Sequence, residues 1–98
     1  MSVKLQVIME ALEQLAPRRL AEEWDRVGLQ LGQGAQEIRR VLVALDVNEA
    51  VAAEAKKVEA DLIVAHHPFI FKPLEQIHTD RFPGNLLQQF LRDNVALV

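Results

Sequence analysis

Two adjacent imidazoles, His66 and His67, follow directly on an aliphatic run in the stretch DLIVAHHPFIFKP, residues 61–73. Neutral imidazole is the commonest protein ligand for divalent metals. The carboxyl end of a buried strand is also where α/β proteins place ligands and reactive groups. Consecutive side chains on an extended backbone point to opposite sides, so the pair does not readily chelate one ion unless the backbone bends. It more naturally serves two neighbouring ions with a bridging carboxylate, at the roughly 3.5–4 Å separation of two-metal hydrolytic sites. Pro68 restricts His67 to extended geometry and stiffens the loop. The competing reading is a pair of hydrogen-bonded polar residues at a strand end, and spacing alone leaves both open. Two histidines are also too few for a catalytic ion, which usually takes three protein ligands and keeps one open position.

Two acids are candidates to support the pair. Asp46 closes the aliphatic run RRVLVALD and so should project from the same sheet edge as the histidines; Asp25 follows Trp24 in a glycine-punctuated segment. Either could orient a ligand imidazole through a hydrogen bond, or take part in proton transfer. A helix cap for Asp46 and an Asx-turn for Asp25 account equally well for their positions. His78 lies within a long loop and reads as solvent-exposed. Gly32 and Gly34 in LGQGAQEI resemble the start of a phosphate loop but lack its remaining spacing and its Lys. The pairs Arg18/Arg19 and Arg39/Arg40 read as solvated surface charge.

Composition narrows the chemistry further. With no cysteine among 98 residues, disulfides, thiolate metal sites and a Cys nucleophile are excluded. Any ion must be held by nitrogen and oxygen, which suits Zn, Mn, Fe, Co or Ni. A net charge of -3 argues against a nucleic-acid face built on bulk positive charge. No apolar run approaches the ~20 residues needed to span a bilayer, and no signal-peptide pattern opens the chain, so a cytoplasmic location is expected. A chain this short forms one domain with a modest core.

These residues need a scaffold, and the hydrophobic pattern supplies one. Residues 3–16 place Leu5, Ile8, Met9, Leu12 and Leu15 at helical spacing, with Ser2 as N-cap and Pro17 as terminator. Leu29 and Leu31 alternate with polar neighbours and suggest a short strand. RRVLVALDV (39–47) reads as a buried strand, Asn48 as the cap of a helix over NEAVAAEAKKVEA, and DLIVA (61–65) as a second buried strand. Strand, helix and strand make a βαβ unit with parallel strands. Residues 66–83 form a loop broken by Pro68, Pro73 and Pro83. A helix over NLLQQFLRD follows, with Leu86, Leu87, Phe90 and Leu91 on its apolar side, and then a last buried strand, VALV (95–98). The expected fold class is α/β, a mostly parallel sheet with flanking helices.

Taken in order, AEEWDRVGLQLG, VLVALDV and DLIVAHHPFIFKPL resemble the N-terminal region of the dinuclear-metal-centre hexameric toroid family, the NIF-three-like proteins often called GTP cyclohydrolase 1 type 2 homologues. Arg26 departs from the Asn usual after the Trp-Asp pair. The resemblance implies a cytoplasmic, ring-shaped homohexamer with two divalent metal ions per subunit and a nucleotide substrate. It matches His66 and His67 to the two N-terminal metal ligands. It further implies that the chain is the N-terminal part of a longer protein. The other ligands, an Asp and then a His and a Glu, would lie beyond Val98, so the 98 residues alone are not expected to turn over substrate. A metal-dependent hydrolase is the leading expectation. The alternative is a non-catalytic, ring-forming metal-binding adaptor.

Overall fold

The computed structural model describes residues 2–15 and 28–98. Its centre is a parallel three-stranded sheet, β3 (Val41–Ala44), β4 (Leu62–Ala65) and β5 (Ala96–Leu97), in that spatial order. Ahead of it in the chain come β1 (Val3–Lys4), α1 (Leu5–Leu15) and β2 (Glu37–Ile38); α2 (Glu49–Val58) and α3 (Gly84–Arg92) are the two crossovers. Strands that run parallel need such crossovers, because no tight turn can return the chain to the starting edge. The expected α/β class is what the structure has.

Both crossover helices lie on one face of the sheet. Ala52 and Ala55 of α2, Leu86 and Phe90 of α3, and Ile63 and Leu97 of the strands share one core cluster. The opposite face carries Leu62 and Ala96, which pack with Leu5 and Ile38 and, at the margin, Ile8 and Met9 of α1. Alternation along β4 produces this division: Leu62 and Ile63 point to opposite faces and both are fully buried.

The ends of α2 are built as its sequence implies. Asn48 Oδ1 accepts a hydrogen bond from the Val51 amide at 2.9 Å, and Glu59 takes a left-handed conformation at φ 56° to close the helix. Glu49 in the first turn and Lys56 and Lys57 in the last complement the helix dipole. Asp61 Oδ2 then accepts from the amides of Arg39 at 2.8 Å and Arg40 at 3.2 Å, tying the start of β4 to the start of β3.

Four details differ from the sequence expectation. Residues 3 and 4 are not helical: Val3 pairs with Ile38 and Lys4 with Glu37 in an antiparallel ladder. Ser2 does not cap α1 but donates to Glu37 Oε2 at 2.7 Å, while the carbonyls of Gln36 and Gly34 accept from the Leu5 and Gln6 amides at 2.8 and 2.9 Å. Backbone oxygens from a distant loop thus do the work of a side-chain cap. Leu29 and Leu31 yield only a single antiparallel bridge, Leu31 to Leu97. Finally, β3 is not a buried strand. It lies at the edge of the sheet, where α1 leaves Val41 46% and Val43 75% exposed, and Leu45 just beyond it is 62% exposed.

The apolar side of α3 is narrower than its sequence suggests: Leu86, Leu87 and Phe90 are buried, whereas Leu91 is exposed. The loop before it is irregular, as expected, but anchored. Phe69 stands edge-on to Phe82 and Phe90, with ring centroids 5.7 and 6.3 Å away. The loop returns so closely to the helix start that a Cβ on Gly84 would lie 2.0 Å from the His78 carbonyl oxygen. Backbone cannot swing aside as a side-chain tip can, so Gly84→Ala should destabilise the protein by about 1–3 kcal/mol. Urea denaturation of the two proteins measures it.

Candidate metal centre

The site is built where β3 and β4 end. The parallel ladder pairs Ala44 with Ala65 and continues beyond both strands: the Ala44 carbonyl accepts from the His66 amide and the Leu45 carbonyl from the His67 amide, each at 3.0 Å. The backbone bends at residues 66 and 67. In place of the opposite-facing side chains of an extended strand, the two rings come together, with centroids 4.8 Å apart and planes at 64°. Both residues are exposed.

Extending the register by two residues sets Asp46 opposite His67. Asp46 Oδ1 and His67 Nδ1 are 2.8 Å apart, with the side chains 58% (His67) and 57% (Asp46) exposed. An exposed pair of this kind contributes little to stability, about 0–1 kcal/mol, so its geometry rather than its energy is informative. The expected neighbour on the sheet edge is therefore present, and it contacts one histidine specifically. His66 makes no hydrogen bond through its ring among the described residues; its one ring contact is with His67.

The remaining candidates are placed elsewhere or engaged otherwise. Asp25, with Trp24, Arg18 and Arg19, lies outside the described residues. His78 is exposed and its Nε2 is 2.9 Å from Gln76 Oε1. Arg40 donates from Nη1 to the Val58 carbonyl at 2.8 Å and stands 3.6 Å from Glu59, a local brace at the end of α2. Gly32 has φ 128°, and a Cβ there would lie 2.9 Å from Ala96 Cβ. Close packing against β5 explains that glycine without a phosphate.

As a donor set, two solvent-facing imidazoles fixed by main-chain hydrogen bonds fit the nitrogen share of a divalent first-row metal site. They do not complete one: no group of three or more His, Cys, Asp or Glu among the described residues could hold an ion. The described residues also contain no helix long and apolar enough to cross a membrane.

Known proteins resemble this chain over nearly all of its length. It is 44% identical over 96 residues to a Bacillus subtilis protein named GTP cyclohydrolase 1 type 2 homolog, covering 98% of this chain and 26% of the relative. It is 35% identical over 91 residues to the Helicobacter pylori protein named GTP cyclohydrolase 1 type 2, covering 93% of this chain and 37% of that one. Among solved structures, the Bacillus cereus protein related to NIF3 superimposes with a TM-score of 0.91 at 40% identity, covering 97% of this chain and 26% of the other. The chain therefore spans between 26% and 37% of the length of these relatives. The Duf34/NIF3 (NGG1p interacting factor 3) profile matches residues 3–98, and the chain belongs to that family.

Proposed function

We propose that the chain contributes His66 and His67 as metal ligands to a metal-dependent hydrolase with a two-metal site, acting on a nucleotide of the GTP type. The observation that carries the ligand reading is the bend that brings two consecutive imidazoles together at the sheet edge, 4.8 Å apart and open to solvent; the count of two ions comes from the family resemblance. A structural pair would be turned inward onto main-chain acceptors. These rings face outward instead, which suits ligation.

The remaining donors lie outside the described residues, beyond Val98 by the family resemblance. Divalent ions bound there would acidify a water molecule and polarise the substrate. The chain's own part is to hold two donor rings at a fixed spacing, through main-chain bonds that do not depend on the ion. The names of the relatives support a guanine nucleotide, with hydrolytic opening of its ring as the reaction. The cytoplasmic homohexameric ring implied by the resemblance is part of the same proposal.

The test is turnover by the metal-loaded, full-length protein that carries this chain. GTP incubated with it should lose its purine ultraviolet spectrum at a rate that falls away when the metal is removed by chelation. A metal-loaded protein that leaves GTP and related nucleotides intact overturns the hydrolase reading.

A further inference from the structure

The contact between Asp46 and His67 identifies more than a neighbour. A carboxylate only accepts hydrogen bonds, so the 2.8 Å approach of Asp46 Oδ1 requires the proton of a neutral His67 ring to sit on Nδ1. The other nitrogen, Nε2, is then bare and carries the free lone pair. We propose that Asp46 is the positioning residue of this site: it fixes the tautomer and the ring plane of His67 and presents Nε2, not Nδ1, as the donor atom toward a divalent cation. The two histidines are consequently unequal. His67 is set in advance by a side-chain partner, whereas His66 is held by its main-chain bond to Ala44 and by ring contact with His67.

Three observations support the assignment. The register of the parallel ladder places the two residues opposite each other, so their meeting follows from the fold and not from chance side-chain reach. Asp46 is not spent as a helix cap, since Asn48 performs that function at the start of α2. The pair is exposed and contributes little to stability, which leaves orientation as its main physical effect. Hydrogen-bonded carboxylates behind ligand histidines act in this way, and their loss typically weakens metal binding 10–100-fold.

The proposal rests on the metal-ligand reading for its consequence, but the tautomer can be read without any metal. In long-range proton–nitrogen spectra of the metal-free chain in alkaline buffer, His67 should show a protonated Nδ1 and a bare Nε2. Asp46→Ala should shift the ring toward the Nε2-protonated form without changing the backbone amide spectrum, and Asp46→Glu should restore part of the original population. Titration of the metal-free full-length protein that carries this chain with Zn²⁺ alone should then give an apparent affinity 10–100-fold weaker in Asp46→Ala. A wild-type ring protonated mainly at Nε2, a tautomer indifferent to Asp46, or equal Zn²⁺ affinity in both proteins overturns the assignment. If the ring is Nδ1-protonated under the control of Asp46 but Zn²⁺ does not bind, the positioning role stands and the metal-ligand reading falls.

Discussion

Alanine at both His66 and His67 should abolish metal-dependent turnover in the full-length protein and lower its affinity for divalent metal by more than about 100-fold. That exceeds the 10–100-fold typical of losing a residue that merely supports a ligand. The expectation follows from the donor count. This chain offers no thiolate donor, and the described residues hold no cluster of three His, Cys, Asp or Glu that could compensate. Both side chains face solvent and their backbone bonds to Ala44 and Leu45 involve only main-chain atoms, so the fold should survive the double change. Equilibrium metal analysis, turnover of GTP and a thermal melt together separate the alternatives. Metal retained at wild-type levels would show that the imidazoles are not ligands. Metal lost with partner binding intact and no turnover in either protein would favour the non-catalytic adaptor.

Phe90→Ala should be the most damaging single change to stability, at about 3–5 kcal/mol. Phe90 is fully buried, lies between the sheet and the loop that follows β4, and meets Phe69 edge-on. Removing the ring opens a cavity in the core cluster and also releases the anchor of the loop that begins with the two histidines. Since domains of this size have only about 5–15 kcal/mol to lose, the variant should be near its unfolding threshold at ordinary temperatures. Leu91→Ala provides the control: it is the next residue of the same helix but is 66% exposed, and should change stability by less than about 0.5 kcal/mol. Chemical denaturation of the pair measures the difference. Similar losses for both would mean that α3 does not pack as described.

The parts of this structure that were legible in the sequence are those determined by neighbours in the chain. The cap at Asn48, the two crossover helices and the strands within DLIVA and VALV all follow from local pattern. What escaped was determined by distant residues. Val3 and Lys4 look helical beside Leu5, yet they pair with residues 35 and 33 positions further on, and that ladder overrides local preference. Leu42 and Val43 look alike in a buried-strand pattern, and only the order of the sheet reveals that one is half-buried and the other 75% exposed. The candidate site shows the same division. Residue types located His66, His67 and Asp46 at the sheet edge, but a bend was needed to bring the rings together and a register to assign Asp46 to His67. Neither is encoded in the spacing of the motif.

The aliphatic ridge of β3 has a consequence for how the chain behaves in concentrated solution. Val41, Val43 and Leu45 project from a rim whose outer main-chain groups have no strand beside them among the described residues. Such a rim is a template on which another polypeptide can add its own backbone, and here its exposed side chains between Arg40 and Asp46 are aliphatic. Self-association of the isolated chain, if its concentration is raised, should therefore begin at this rim.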